Sequence, residues 1–552
     1  MGGRMKTAFD MVVRYGAFSL LALLTLVVLL AGLAGAGWSG WLLVLLPLAG
    51  VGIWDLVQDR HTLLRNYPLT GHLRWVFELS RPYLRQYIVE GDLSGRPYNR
   101  EQRSLVYERA KDTLDSKPFG SDFDFYDEQY ELMTHSIAAR RIENSDFRVR
   151  VGGPQCRQPC DVSLLNISAM SFGALGAKAV EALNRGAAAG GFYQDTGEGG
   201  ISPYHCIHDG DLVWEIGTGY FGCRDADGRF DPDLFAQEAR REQVKMIEIK
   251  LSQGAKPGHG GVLPGKKVTA EIASTRHVPE GVECVSPPGH SAFSTPLEML
   301  EFVARLRELS GGKPVGIKLC VGHPWELFAI CKAMLKSGTL VDFIVVDGAE
   351  GGTGAAPEEF SDHVGMALRE GLVMTRNALV GTGLRGDICI AASGKVYSAF
   401  SIARNLALGA DWCNAARAFM FSLGCVMAKK CHTDRCPTGV TTQNPNRQRG
   451  LVVEEKYLRV ANFHRNTLQR LGELIGAAGL EHPGDLRPHH LHHRTGPNSV
   501  ATMDRIKEFL EPDILLTDPD STPYGDWWAV ASADSFLPQA RTGPRQHRES
   551  RD

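Results

Sequence analysis

The sequence has almost no excess charge of either sign, because 60 Lys and Arg are set against 63 Asp and Glu, a formal net charge of -3 over 552 residues. This balance gives no general attraction to nucleic acid, so we expect no nucleic-acid partner. Cysteine is also sparse. Twelve cysteines in a chain of this length are far from the density of a small secreted disulfide scaffold, and they indicate a reducing compartment.

Charged residues are missing from two adjacent apolar runs near the N-terminus, residues 17–35 and 38–54. Each run is close to the roughly 20 residues needed to span a bilayer. Basic residues flank the pair on both sides, so the positive-inside bias puts both ends in the cytoplasm. We therefore expect residues 1–60 to form a transmembrane helical hairpin in the cell inner (cytoplasmic) membrane, with the catalytic domain in the cytoplasm. The alternative is a signal peptide cleaved near residues 34–36, which the second run argues against.

The rest of the chain divides by composition. Residues 61–150 predict a helical lead-in packed on the main domain, and residues 481–552 predict a C-terminal tail. Between them, in residues 151–480, short β-branched runs alternate with helical segments rich in alanine and leucine. The candidate strands are residues 162–170, 191–196, 212–218, 246–253, 315–320, 343–347, 388–393 and 412–416.

Eight such units predict an α/β fold, a (β/α)8 TIM barrel with the hairpin at its N-terminus and an extension at its C-terminus. An open, doubly wound sheet is the alternative that spacing leaves. The barrel is favoured because nearly every candidate strand ends in polar or glycine-rich sequence, the composition expected of loops on a catalytic face.

Three thiols with C-x5-C-x4-C spacing, Cys425, Cys431 and Cys436, precede Pro437. Thiolates bind iron well, and a short loop lets three of them converge on one cluster. Three ligands suit a three-iron cluster better than a four-iron cubane. The alternative is three buried structural thiols, since free cysteine packs as a small apolar side chain.

Charged residues follow the second and fourth candidate strands. Lys250 and Lys256 lie at and beyond the tip of the fourth strand, and with Arg276 they predict an anion clamp for a dicarboxylate. The alternative is a solvated basic loop. Glu198 stands in a glycine-rich loop, where it could orient Lys250, shuttle protons or cap a turn. Small residues around Gly394 occupy a place where barrels commonly bind phosphate.

Several of these stretches together resemble the central FMN-binding synthase domain of glutamate synthase. They cover about residues 160–445 in the order of that family: SAMSFGAL at 168–175, DTGEGG at 195–200, IKLSQGAKPG at 249–258, SPP at 286–288, GGTGA at 351–355 and the cysteine loop at 424–440. The hairpin and the lead-in are similar to those of the shorter, stand-alone FMN-binding glutamate synthase family proteins.

The resemblance implies a barrel holding FMN and a [3Fe-4S] cluster. In that family ammonia condenses with 2-oxoglutarate, and reduced flavin gives hydride to 2-iminoglutarate, forming L-glutamate. Carried over, it assigns the cluster to Cys425, Cys431 and Cys436, the imine chemistry to Lys250 and Glu198, 2-oxoglutarate to Gln253, Lys256 and Arg276, and the FMN to Met170, Ser171, Lys318 and Gly394.

The sequence also departs from the family. No cysteine precedes Cys156 to act as the N-terminal nucleophile of a glutaminase domain, so we expect nitrogen from free ammonia or a partner amidotransferase. A further dinucleotide-binding domain is not apparent after the barrel, so the expected electron donor is ferredoxin or a separate reductase subunit. The glutamine that helps to hold 2-oxoglutarate is Val262 here, and the acidic residue of that loop is His259. These changes point to a related oxo acid as an alternative substrate.

The leading interpretation is thus a membrane-anchored FMN and iron-sulfur oxidoreductase that reductively aminates 2-oxoglutarate or a related oxo acid. One alternative is an amino-acid dehydrogenase that passes electrons to a membrane carrier. Another is a non-catalytic redox or metabolite-sensing subunit.

Overall fold

The computed structural model describes residues 2–540, and its centre is a closed barrel of eight parallel strands. The strands are Leu165–Ile167 (β1), Gln194–Asp195 (β2), Leu212–Ile216 (β3), Val244–Lys250 (β4), Val315–Leu319 (β5), Phe343–Asp347 (β6), Cys389–Ser393 (β7) and Trp412–Ala415 (β8). Pairing of β8 with β1, with Cys413 opposite Leu165, closes the barrel. The TIM-barrel prediction is therefore confirmed, and the open-sheet alternative is wrong.

The barrel strands are buried on both faces, which explains why they read as nearly continuous apolar runs. Surrounding helices cover the outside, namely Ala177–Gly190, Pro232–Ala239, Pro296–Leu309, Pro324–Ser337, Leu368–Gly381, Ala399–Ala407, Arg417–Ser422 and Val453–Ala477. Between β2 and β3 the chain forms a 3-10 turn, Pro203–His205, where the repeating pattern predicts an α-helix.

Local sequence explains where these helices start and how closely they pack. Pro296–Leu309 begins with a capping box in which Thr295 accepts a hydrogen bond from the backbone of Glu298 and the Glu298 side chain returns to the cap. Helix Val453–Ala477 crosses Ala177–Gly190 at Gly186, where an added Cβ would lie 2.4 Å from Cγ1 of Val460. Only glycine allows that approach.

The segments before and after the barrel share one small sheet. Glu131–Met133 pairs antiparallel with Leu491–Gly496, and Ser499–Thr502 adds a third strand. A separate sheet of two strands joins Arg148–Val151 to Cys160–Ser163. The sequence-based domain bounds at residues 60, 150 and 480 stay predictions, and residues 541–552 of the predicted tail lie outside the described residues.

Within the described residues 2–540, the chain up to Arg100 forms one compact unit and the chain from Glu101 onward forms another. The first unit contains helices Gly2–Leu33, Leu42–Val57, Thr62–Asn66 and Leu73–Leu84, the last continued by a π-helical turn at Arg85–Val89. Two stretches, Met11–Leu33 and Ser39–Val57, are long and apolar enough to cross a membrane by length and composition, with mean hydropathies of 2.5 and 1.9. Their positions agree with the two apolar runs of the sequence.

Candidate active site

An ion pair joins the loop after β2 to the end of β4. Lys250 is the last residue of β4, and its Nζ lies 3.0 Å from Oε2 of Glu198. Both side chains are largely buried, with 9% and 14% of their surface exposed. The structure thus brings together the two residues that the sequence assigned to imine chemistry.

The Glu198 carboxylate is enclosed by glycine backbone. A Cβ on Gly261 would lie 2.1 Å from Oε1 of Glu198, and a Cβ on Gly217 would lie 2.8 Å from the Glu198 Cβ. The hydroxyl of Ser286 donates a hydrogen bond to Oε2 at 3.3 Å. Glycine at 217 and 261 is needed because any side chain there would displace the carboxylate.

Charge keeps this buried carboxylate ionised. Burial alone would raise the pKa of Glu198, but Lys250, Arg276 and Lys256 lower it to about 2. A group with such a pKa holds no proton at neutral pH. Among the roles left open by the sequence, orienting the Lys250 ammonium is therefore favoured over proton shuttling.

The predicted anion clamp is only partly available to a ligand. Lys256 is 3% exposed and makes no side-chain hydrogen bond within residues 2–540, and burial lowers its pKa. Arg276 is committed to its neighbours, because its Nη2 donates to the Phe172 carbonyl at 2.9 Å and its guanidinium lies 5.0 Å from the Phe221 ring centre. Gln253 is half-buried three residues beyond β4.

A second charged cluster lies deeper inside the barrel than the ion pair of Lys250 and Glu198. Carboxylate oxygens of Asp195, Glu215 and Glu248 are all within 4.8 Å of one another. The ammonium of Lys318 pairs with Glu215 and lies 3.2 Å from Oε1 of Glu248. Each of these four residues is at most 3% exposed. We call Asp195, Glu215, Glu248 and Lys318 the barrel-floor cluster.

Burial favours the protonated form of two acids in the barrel-floor cluster. Burial raises the pKa of Glu248 well above its usual value, and the neighbouring Asp195 raises it further. Burial also raises the pKa of Asp195. Sequence reasoning assigned Lys318 to FMN and missed its acidic partners. An available signal was a lone glutamate inside each of two apolar strands, LVWEI and VKMIEIK.

Loops from the ends of other strands meet beside the ion pair. A Cβ on Gly197 would lie 2.6 Å from the backbone nitrogen of Ser171 and 3.0 Å from the carbonyl carbon of Met170, so the loops after β1 and β2 touch. Gly394, with φ of +149°, lies in the loop after β7 against Gly348, whose Cα is 3.5 Å from a Cβ built on Gly394.

The side chain of Arg417, which follows β8, contacts the loop after β6. Arg417 Nη2 donates to the Glu350 carbonyl at 2.9 Å, and a Cβ on Gly352 would lie 3.0 Å from Arg417 Nη1. The loops after β6 and β8 therefore meet, next to the loop that contains Gly394. Barrels commonly bind phosphate at this edge.

The three-thiol loop follows the helix after β8. The backbone N–H of Met427 donates to Sγ of Cys425 at 3.4 Å, and Sγ of Cys436 lies 3.5 Å from the Thr438 hydroxyl. Burial raises the pKa of Cys425 to about 12, and the charges of Cys431 and Cys436 add to the effect. Hydrogen bonds with Thr438 and Thr441 offset burial and lower the pKa of Cys436.

Two long side chains fasten the three-thiol loop to the loop after β1. Lys267 Nζ donates to the carbonyls of Ala174 at 3.2 Å and Cys431 at 3.4 Å. Gln443 Nε2 donates to the carbonyls of Gly173 at 3.0 Å and Leu175 at 2.9 Å. The thiols are thus held beside the segment that carries Met170 and Ser171.

The fold and this site define a (β/α)8-barrel protein with buried clusters of charged side chains and a three-thiol loop at one end of the barrel. The family model described as "Conserved region in glutamate synthase" matches residues 120–481. The chain belongs to this family, which confirms the resemblance inferred from its motifs. It is accordingly a glutamate synthase-like oxidoreductase.

Named relatives agree with this placement. The chain is 38% identical over 499 residues to the glutamate synthase large subunit-like protein YerD of Bacillus subtilis, covering 83% of this chain and 94% of that protein. It is 32% identical over 360 residues to the archaeal glutamate synthase [NADPH] of Methanocaldococcus jannaschii, covering 65% and 66%. It spans only 20% of the glutamate synthase [NADPH] large chain of B. subtilis, at 30% identity over 58% of this chain.

Among solved structures, the chain is similar to a mutant flavocytochrome b2 with pyruvate bound, at 15% identity and a TM-score of 0.39 over 76% of this chain and 87% of that one.

Proposed function

We propose that the protein is a membrane-anchored oxidoreductase that uses FMN and an iron-sulfur cluster to aminate 2-oxoglutarate, or a related oxo acid, to the amino acid. One observation carries the proposal. Three cations, Lys250, Lys256 and Arg276, act on the single buried carboxylate of Glu198. Among these four side chains the cations outnumber the anion by two, which suits the two carboxylates of the substrate.

Each charged side chain has a role in this scheme. Glu198 stays ionised and holds the Lys250 ammonium at one position. Lys250 Nζ then donates a hydrogen bond, and at the imine stage a proton, to the reacting carbonyl or imine group. Lys256 binds a substrate carboxylate, while Arg276 supplies mainly charge because its Nη2 is bonded to Phe172. The protein contributes to catalysis mainly by positioning the substrate and by excluding water from it.

The end of the pocket differs from a standard 2-oxoglutarate site. Val262 lies in the short strand Val262–Leu263, opposite Val285, where the family has an amide donor. The His259 ring packs edge-on against Phe360, 5.2 Å between centres, and its Nδ1 lies 2.9 Å from the Gly260 carbonyl oxygen. An apolar side chain and an imidazole at this end favour a related oxo acid as the alternative substrate.

The residues around the strand ends suit FMN. Met170, Ser171 and Gly394 line the loops where the ring and phosphate would lie, and Arg417 offers charge beside the glycine-rich loop after β6. Lys318 stays a candidate flavin contact because it is opposite Lys250 in the pairing of β4 with β5, although its ammonium is paired with acids. Bound FMN would supply the hydride for the imine.

The three-thiol loop suits a [3Fe-4S] cluster held by Cys425, Cys431 and Cys436. Hydrogen bonds to the sulfurs, such as the one from the Met427 backbone, are a means by which proteins tune such clusters. A cluster there would pass single electrons to the flavin. The bonds of Lys267 and Gln443 to the loop after β1 would keep that path short.

Replacing Cys436 with Ala should remove most of the cluster iron and acid-labile sulfide while leaving the barrel folded, because the proposed cluster has only these three thiolate ligands and Cys436 lies in a loop outside the barrel strands. Iron and sulfide per flavin, measured on anaerobically purified protein, give the result. Cys206→Ala is the matched control, since Cys206 is a half-buried free thiol outside the loop. Full iron content in Cys436→Ala would support structural thiols instead.

The reaction itself is tested on protein purified in detergent without oxygen. Dithionite reduces it, and 2-oxoglutarate plus ammonium is then added. We expect the oxidised flavin absorption to return with one glutamate formed per flavin. A spectrum that stays reduced would exclude amination of 2-oxoglutarate by free ammonia. Repeating the addition with other oxo acids, or with a partner amidotransferase, would then locate the missing substrate.

The N-terminal helices favour one second candidate, an amino-acid dehydrogenase that passes electrons to a membrane carrier. Met11–Leu33 and Ser39–Val57 would hold the barrel at the bilayer in the inner membrane. In the amination direction the electrons come from ferredoxin or a separate reductase subunit. Steady-state assays in both directions distinguish the two functions. If no amino acid supports reduction of a quinone analogue, the dehydrogenase is excluded.

A further inference from the structure

An apolar helix face in the first unit has no cover among the described residues. Helix Leu73–Leu84 and its π-helical continuation place Leu73, Val76, Leu79, Tyr83 and Tyr87 at spacings of three and four residues. Such spacing puts side chains on one face of a helix. These five side chains are 40% to 67% exposed. A continuous exposed apolar face of this length marks a binding surface.

The opposite face is basic. Arg74, Arg81 and Arg85 recur there, with Glu78 as the one acid among residues 73–89. Arg74 is 4.0 Å from Glu78, and Arg85 is 2.9 Å from Glu90 just beyond the turn. A helix with an apolar face and an arginine-rich face has the composition of segments that lie in a membrane interface.

The start of this helix is fastened to the end of the second apolar helix. Asp55, buried in the last turn of Leu42–Val57, accepts a hydrogen bond from the Leu69 backbone at 2.9 Å. Its two carboxylate oxygens lie 2.9 and 3.0 Å from Nε2 of His72, the residue that caps Leu73–Leu84. The amphipathic helix therefore begins at the level where the apolar span ends.

We propose that residues 73–89 lie in the surface of an anionic lipid bilayer, with the Val76 face among the acyl chains and the arginines at the headgroups. The inference rests on the proposed membrane hairpin, because the Asp55 contacts place the helix only if Ser39–Val57 spans the bilayer. We favour lipid over a protein partner as the cover of this apolar face. The reason is that His72, at the start of the helix, already contacts Asp55 at the end of the proposed membrane span. The headgroups that the arginines would meet are phosphates of anionic lipid.

Photolabelling of the full chain in vesicles of phosphatidylcholine and phosphatidylglycerol tests the proposal. A benzoylphenylalanine replaces Val76 in one variant and Glu78 in a second. These side chains are similarly exposed, each at 57%, and point about 160° apart around the helix. A third variant carries the label at Leu24, inside the first apolar span. Lipid adducts are counted by mass spectrometry after irradiation.

We expect several-fold more lipid adduct at position 76 than at 78, with strong labelling at 24. Adducts at 24 but not at 76 would overturn the interfacial helix and leave the hairpin anchor standing. Adducts at none of the three would overturn the anchor together with the inference. Crosslinks from position 76 to a peptide, of this chain or of a second copy, would show that protein covers the face and would also overturn it.

Discussion

Lys250→Met should lower the kcat/KM of oxo-acid amination by about 10³-fold, within the usual range for loss of a general acid. The reason is geometric, because Lys250 Nζ is held 3.0 Å from Glu198 at the end of β4. The fold should survive, since Lys256 and Arg276 still lower the pKa of the Glu198 carboxylate. Single-turnover flavin reoxidation measures the chemical step directly, and flavin content and melting temperature report on the fold.

Lys245→Met is the matched control for this change. Lys245 is on the same strand, but it is partly exposed and pairs with Asp211 at 3.4 Å. Its replacement should leave turnover unchanged. If Lys250→Met keeps activity within about threefold of the native protein, the general-acid role is wrong. If the native protein binds the oxo acid but does not convert it, and Lys250→Met does not convert it either, the non-catalytic sensing interpretation gains support.

The sequence predicted the parts of this site that lie at strand ends. Lys250 and Glu198 each follow an apolar run, and carboxyl ends of parallel strands share one end of a barrel, so their meeting follows from the fold. The same reasoning located all eight strands. It could not foresee the 3-10 turn Pro203–His205, because glycine and proline mark that connection as irregular without fixing its form.

Other features depend on register and on distant pairing. Glu215 and Glu248 meet because β3 pairs with β4 at those residues, while Lys318 reaches them from β5. Local sequence contains no information on that register. The strand Glu131–Met133 is three residues long and pairs with Leu491–Gly496 near the other end of the chain. Such short strands have too little pattern to be recognised before the partner is known.

The barrel-floor cluster leads to the largest expected change in stability. Lys318→Met should destabilise the protein by about 3–5 kcal/mol near neutral pH, because removing one member of a buried ion pair leaves the other uncompensated. Glu215 and Glu248 both lose their nearest cation. Lys313→Met is a suitable control. Lys313 is also buried, but its Nζ donates only to the carbonyls of Ala239 and Arg241, so no acid is left unpaired.

The dependence on pH separates this explanation from a simple packing defect. A carboxyl group whose pKa is raised in the folded state binds more protons folded than unfolded, so stability falls as pH rises above the unfolded value near 4.5. Without Lys318 this fall must steepen, and the gap in melting temperature between native protein and Lys318→Met should be wider at pH 7 than at pH 5. For Lys313→Met the gap should stay constant over that interval, because the pKa of Lys313, lowered by burial to about 8, lies above it. An equal gap for Lys318→Met at both pH values would mean that the loss of stability is a simple packing defect.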